Sequence, residues 1–217
     1  WISWRIHHHS VKNFKNNPLF AILMKQNRER KKWWLILLIV FIMIGTSFSF
    51  IFFGFSTSSE IVKYKGIKFS RNPSQNIWVA GINGKDAAFS FLPDEVKDIA
   101  SAGNLAARLQ NKLEIDATYD LNSTNKEAIA LAQHQLGLTL NAYNIYVRKG
   151  FTANNTFSLP VITCSDSTAN VPVIYFRHGN STKIDNGNSC IIAEEKSNAD
   201  FIRVKDRLLY AILGVLE

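Results

Sequence analysis

Residues near the ends of predicted strands are the candidates for chemistry in this chain. Asp116 and Asp120 belong to the segment EIDATYD, and His178 follows the apolar run in VPVIYFRHG. Strand ends often carry functional groups, and an aspartate that meets a histidine there could form a hydrolytic pair. The alternative is that Asp116 lies on a solvated strand face and His178 in a turn. The residues therefore suggest a weak catalytic pair, and whether the protein is an enzyme stays open.

Other catalytic and ligand-binding motifs are missing from the sequence. It contains no phosphate-cradling glycine-rich loop, no G-x-S-x-G, no H-E-x-x-H and no paired-cysteine zinc spacing. His7, His8 and His9 could ligate a metal, but no further ligand lies near them in sequence. His134 falls inside a predicted helix, where it is expected to be a packed or surface residue. We predict no metal site and no cofactor.

Cys164 and Cys190 are the two cysteines of the chain, and both follow its long apolar segment. If that part of the protein lies in an oxidising compartment, a disulfide between them is expected. It would close a loop of about 27 residues and stabilise the fold by roughly 3–4 kcal/mol in the chain-entropy model. The alternative is a pair of unrelated buried thiols.

Three glycosylation sequons also follow the apolar segment, and they begin at Asn122, Asn154 and Asn180. They agree with export of this part of the chain. Their alternative is the ordinary polarity of loops, because a chain rich in Asn, Ser and Thr contains such triplets by chance.

The uneven distribution of charge points to a membrane rather than to nucleic acid. Residues 1–32 hold eight Lys or Arg and one acid, a net charge of +7, whereas residues 56–217 carry 17 Lys or Arg against 16 acids. A nucleic-acid-binding domain would be expected to carry a basic stripe of its own. Residues 33–55 contain no charge, and a helix of that length spans a bilayer core. We therefore predict a lipid bilayer as a partner and no nucleic acid.

The basic cluster before the apolar segment predicts the orientation of the protein. By the positive-inside rule, residues 1–32 form a cytoplasmic tail, residues 33–55 a transmembrane helix, residues 56–60 a linker, and residues 61–217 an extracytoplasmic domain. The alternatives are a cleaved signal sequence, with GTS at 45–47 as the cleavage region, and a buried helix. Met24 opens a short basic stretch that resembles a natural start, so residues 1–23 are expected to lie outside the native protein.

The outer domain is predicted to be α+β, with a mixed sheet, a β-hairpin near its start and a C-terminal covering helix. Asn83-Gly84 is a strong hairpin signal, and Thr124 with Glu127 matches a capping box. The strand, helix and strand around that box favour a parallel pair. In the last helix Arg203, Lys205 and Arg207 are expected to face water. Strands are predicted at 61–69, 77–82, 86–92, 113–120, 144–152, 159–164, 171–179 and 190–195, and helices from Pro93, over 104–112, over 124–140 and over 197–217.

The order of these segments resembles a family of single-span membrane-anchored proteins from archaea of the DPANN group. The resemblance covers about residues 24–217, and its anchor points are ITC with VPVI and the CII segment. It implies no assigned activity, so it identifies no catalytic residue.

The expected function is that of a membrane-anchored extracytoplasmic domain with a binding or assembly role in the cell envelope, where it could contact an envelope protein. One alternative is an envelope hydrolase that uses Asp116 or His178. Another is an accessory subunit of a membrane complex, although the apolar segment lacks the spacing of small residues typical of packed membrane helices.

Overall fold

The computed structural model describes residues 33–43, 60–187 and 189–217. The chain divides into two compact units, residues 1–58 and 59–217. In the first unit, residues 33–43 form helix α1, and its large apolar side chains are exposed. Within the described residues, no helix has both the length and the apolar character needed to cross a bilayer. The rest of the predicted span, the basic tail, Met24 and residues 56–59 of the linker lie outside the described residues.

The second unit begins with a four-stranded antiparallel meander, here called sheet A. Its strands pair in chain order: β1 (Ile61–Tyr64), β2 (Ile67–Asn72), β3 (Ile77–Ile82) and β4 (Lys85–Phe89). The predicted hairpin at Asn83-Gly84 is confirmed, with φ of 51° and 77° at the two turn residues. The single strand predicted over 61–69 is wrong. Lys65 and Gly66 also take positive φ and form a second two-residue turn, which splits that segment into β1 and β2.

Sheet B is a mixed sheet of six strands in the order β5-β9-β10-β8-β6-β7. Strands β10, β8, β6 and β7 run parallel, while β9 is antiparallel to β10 and parallel to β5. Helix α4 (Lys126–Asn141) links β6 to β7, which confirms the predicted parallel pair. The strands are β5 (Ala100–Ser101), β6 (Glu114–Tyr119), β7 (Tyr146–Phe151), β8 (Val173–His178), β9 (Lys183–Asn186) and β10 (Ile191–Glu195), and the other helices are α2 (Pro93–Val96), α3 (Leu105–Leu109) and α5 (Asp200–Ile212).

The helix starts follow the local sequence in part. Pro93 is the first residue of α2, as predicted, and the Glu95 carboxylate accepts the Leu92 N–H at 2.6 Å. The capping box predicted at Thr124 is wrong. Asn125 caps α4 instead, and its side chain makes no capping hydrogen bond, because its amide is used elsewhere.

Helices α4 and α5 lie between the two sheets. On one side α5 contacts β10 and α4 contacts β6 and β7. On the other side the Tyr210 ring of α5 stacks on Phe89 of β4, with ring centroids 4.3 Å apart, and meets the edge of Phe69 of β2 at 6.2 Å. The predicted α+β class with a C-terminal helix is confirmed. Lys205 and Arg207 were expected to face water, but they are only 2% and 5% exposed because sheet A covers that side of α5.

The opposite face of sheet B is covered by the segment that connects β7 to β8. The Thr118 hydroxyl of β6 donates to the Ile162 carbonyl at 2.8 Å, and Ile162 packs with Val173 and Cys190 in a small second core. The strand predicted over 159–164 is wrong, since this segment is a loop with one bridge to β7 and a short 3₁₀ turn at Cys164–Asp166. Consequently β6, predicted to be half-buried, is covered on both faces.

Candidate functional site

A cleft of about 270 Å³ lies at the carboxyl edge of sheet B, between the ends of β6 and β8. After β6 the chain turns through α4 toward β7, and after β8 it turns through β9 toward β10. The chain thus leaves two neighbouring parallel strands in opposite directions. In open α/β sheets such a switch point, outside the carboxyl ends of the strands, is where ligands bind.

The loop that follows β6 forms one wall of this cleft and is held by hydrogen bonds of its own. The Asp120 carboxylate accepts the Asn122 N–H at 2.9 Å, and the Asp120 carbonyl accepts the Ser123 N–H at 2.9 Å. This local turn presents carboxylate, amide and hydroxyl groups to the cleft. The lining residues are Asp120, Asn122, Ser123 and Thr124 from the loop and Tyr175, Phe176, Arg177 and His178 from β8.

His178 contributes an exposed imidazole to the other wall. Its Nδ1 lies 3.1 Å from Nδ2 of Asn125, and the Thr124 hydroxyl donates to Oδ1 of the same amide at 3.1 Å. With the Asn125 amide assigned this orientation, His178 Nδ1 accepts a hydrogen bond and Nε2 carries the proton. In this arrangement His178 Nε2 is an N–H donor, and the imidazole is held by Asn125, the N-cap residue of α4.

The cation that lines the cleft is already paired. Arg177 donates through Nε and Nη2 to Oε2 of Glu194 at 3.0 and 2.6 Å. Glu194 in turn packs against Gly179, where an added Cβ would clash with the Glu194 side chain. With Arg177 neutralised, Asp120 contributes a negative charge to the lining. The cleft is thus polar without being cationic.

The other catalytic candidate, Asp116, lies elsewhere. It is fully buried, and its two oxygens accept Arg148 Nε at 2.7 Å and Nη2 at 2.6 Å. The pairing raises the pKa of Arg148, chiefly through these hydrogen bonds. In the sheet register Asp116 pairs with Val173, five residues before His178, a separation of roughly 16 Å along the strands. The structure therefore does not bring Asp116 and His178 together.

A buried carboxyl that the sequence did not single out lies beside His178. Glu195 of β10 is the register partner of His178, so both side chains point toward the helices. Glu195 is 0% exposed, and neither carboxyl oxygen has a hydrogen-bond partner among the residues that the structure describes. The pKa of the Glu195 carboxyl is raised to about 10, mainly by burial and in addition by the charges of Asp200 and Glu194. Glu195 is therefore protonated at neutral pH, and in sequence it resembles an ordinary acidic strand end.

The predicted cysteine pair is found in the structure. The Cα atoms of Cys164 and Cys190 are 5.0 Å apart, and their sulfur atoms lie within bonding distance. The disulfide joins the loop over the outer face of sheet B to the start of β10. It thereby holds this loop against the sheet.

The three predicted glycosylation acceptors share one edge of sheet B. Asn122, Asn154 and Asn180 are exposed, and they follow the carboxyl ends of β6, β7 and β8 respectively. Asn122 also lines the cleft, so a glycan there would occupy its mouth. Their modification stays a prediction.

Metal-binding geometry is missing from the part of the chain that the structure describes. Across residues 33–43, 60–187 and 189–217 no three His, Cys, Asp or Glu side chains converge as a metal site. His134 is exposed on α4, with Nδ1 3.4 Å from Lys149 Nζ. His7, His8 and His9 lie outside the described residues.

One signal in the sequence could have located the loop wall of the cleft. The polar run from Asp120 to Asn125 directly follows a predicted strand, and loops after parallel strands meet at one sheet edge. The resemblance to single-span archaeal proteins rests on sequence segments alone. The chain matches no family model, no curated protein and no solved structure.

Proposed function

We propose that this protein is a binding module of the cell envelope and that it holds a small, uncharged, polyhydroxylated ligand in the cleft between β6 and β8. The observation that carries the proposal is the position of this polar cleft at the switch point of sheet B. A saccharide is the class of ligand that we expect.

The lining groups support a ligand rich in hydroxyls. The Asp120 carboxylate accepts hydrogen bonds, His178 Nε2 donates, and the Ser123 hydroxyl does both. The hydroxyl groups of a saccharide can both donate to and accept from groups of this kind. An anionic ligand is disfavoured because it would meet Asp120, while Arg177 is already neutralised by Glu194.

The membrane tether is the second part of the proposal. Support comes from the uncharged stretch over residues 33–55, from the basic cluster before it, and from the exposed apolar side chains of α1. The tether would hold the cleft close to other molecules of the envelope and so raise its effective concentration there. Protease added outside spheroplasts is expected to digest residues 60–217 and to spare the N-terminal tail. Full protection of residues 60–217 would contradict this orientation.

A saccharide titration tests the ligand. The full chain in detergent micelles is titrated with a panel of neutral mono- and oligosaccharides, and shifts of the His178 imidazole signals are followed by NMR. Asp120→Asn should weaken binding by about three- to tenfold, because one charged acceptor is lost. Asp86→Asn, at an exposed position of β4, is the matched control and should leave affinity unchanged. Sulfated or phosphorylated sugars that bind more tightly than neutral ones would contradict the proposal.

A further inference from the structure

A second cavity, which opens to solvent, lies beside sheet A and shares no lining residue with the cleft between β6 and β8. It has a volume of about 190 Å³ and is bounded by β3 and β4 of sheet A on one side and by α4 and α5 on the other. Its walls are mainly apolar, with Ile77, Ala88, Phe89 and Leu138 among them. Leu138 is 62% exposed, so it marks the mouth through which the cavity meets solvent. An apolar cavity of about 150 Å³ is large enough to take up benzene, so this one can hold a small organic molecule.

A buried lysine reaches this cavity. Lys205 lines it and is only 2% exposed, and its Nζ donates to Oδ1 of the adjacent Asp206. The other Asp206 oxygen accepts the backbone N–H groups of Ser90 and Phe91 at 2.8 and 2.9 Å. An ammonium has three donors, and within residues 60–187 and 189–217 Asp206 is its hydrogen-bond partner. The Lys205 ammonium therefore has N–H groups left that could donate to a ligand in the cavity.

The second polar feature beside this cavity is a buried acceptor without a partner. Gln135 of α4 lines the cavity, and its Oε1 is buried with no hydrogen-bond partner among the described residues. A buried polar atom of this kind costs free energy unless something satisfies it. A ligand that both accepts from Lys205 and donates to Gln135 would supply the two missing hydrogen bonds.

The charges decide which class of ligand fits. The Lys205 ammonium is already balanced by the Asp206 carboxylate, and both side chains are buried. A carboxylate ligand would place an uncompensated negative charge beside this buried pair, which is unfavourable. We propose that this cavity is a binding site for a small uncharged molecule that carries a carbonyl oxygen, an N–H or O–H donor and a short apolar chain.

Isobutyramide is the probe that tests this site, and isobutyrate is its charged counterpart of the same shape. Both are titrated into the full chain in detergent micelles, and NMR follows contacts between the probe and the Ala88 methyl group. Isobutyramide is expected to bind saturably with such contacts, and isobutyrate at least tenfold more weakly. Equal affinity for both probes would overturn the charge argument. If isobutyramide makes no contact with the cavity at its highest soluble concentration, and the cavity holds only water, the proposed binding site is refuted.

Three variants complete the experiment without disturbing the buried ion pair. Gln135→Leu removes the unpartnered acceptor and should weaken isobutyramide binding about three- to tenfold. Ala88→Leu fills the cavity and should abolish binding, while Gln75→Leu, at an exposed turn, is the control and should change nothing. Lys205 is left in place because its removal would strand a buried Asp206 charge. Unchanged affinity in either of the first two variants would refute the assignment.

Discussion

The buried carboxyl of Glu195 makes the stability of this protein depend on pH in an unusual direction. In the folded state its pKa is raised from an ordinary 4.5 to about 10, chiefly because the side chain is fully buried and also because of the charges of Asp200 and Glu194. Between these values the folded protein keeps this proton and the unfolded chain has released it. The unfolded state then binds fewer protons, so the free energy of unfolding falls as pH rises. The contribution of Glu195 is fully present below about pH 4.5.

The magnitude follows from the linkage relation. One proton difference changes the free energy of unfolding by about 1.4 kcal/mol per pH unit, or about 2.7 kcal/mol between pH 5 and pH 7. Glu195→Gln has nearly the same shape and is neutral in both states, so it should lack this slope. We expect its stability relative to the native sequence to increase by about 2.7 kcal/mol over that interval.

Urea denaturation of the full chain in detergent, followed by circular dichroism from pH 4 to pH 8, measures this difference. Glu127→Gln, at an exposed position on α4, is the matched control and should follow the native curve within about 0.5 kcal/mol. If Glu195→Gln and the native protein lose stability in parallel from pH 5 to pH 8, then Glu195 is ionised in the folded state. That result would refute the inference from burial.

Three further predictions concern other contacts within residues 60–217. Cys164 and Cys190 should resist alkylation under non-reducing conditions, and ready labelling of both thiols in native membranes would exclude the disulfide. Cys164→Ser should lower the free energy of unfolding by about 3 kcal/mol. Arg148→Met should lower the free energy of unfolding in urea by about 3 kcal/mol or more, because it leaves Asp116 buried and unpaired. Adding Asp116→Asn should recover most of this loss. A loss below about 1 kcal/mol would mean that Asp116 is solvated. Tyr210→Phe removes a 2.7 Å hydrogen bond to a backbone carbonyl and should lower the unfolding free energy by about 1 kcal/mol, so an unchanged midpoint would count against that bond.

Local patterns in the sequence predicted the elements whose signals are short-range. Asn83-Gly84 marked its hairpin because both residues tolerate positive φ, and the apolar segments of β8 and β10 were recognisable as inner strands. Strand β9 was missed because its sequence, KIDN, has one buried apolar residue and joins the sheet through its neighbours. The Lys65-Gly66 turn was missed because lysine is not a typical turn residue at positive φ.

Long-range packing accounts for most of the remaining errors. Lys205 and Arg207 occupy positions that would face water on a helix covering one sheet, but α5 is covered by two. No periodicity within α5 reveals that sheet A packs on its second side. In the same way, the burial of Asp116 depends on Arg148 of a neighbouring strand and on a loop from further along the chain. The burial of these side chains can be predicted only when the order and pairing of the strands are known.

The cleft was predictable in part. His178 was identified from its place after an apolar strand, but its real neighbour is Asn125 rather than Asp116. The order of strands in sheet B decides this outcome, because it places the end of β8 beside the end of β6. Strand order depends on side-chain packing between segments that are far apart in the chain, and no short sequence motif predicts it.

The position of α5 between the sheets has a consequence for how the protein is made. Phe69 and Phe89 of sheet A, and the inner face of β10, are covered by a helix that begins only at Asp200. During synthesis the apolar faces of both sheets therefore stay uncovered until residues 200–212 have emerged from the ribosome. Domains usually fold as units once their chain is available. We expect this one to fold after translation of these residues rather than strand by strand, with an interval in which it needs protection from aggregation.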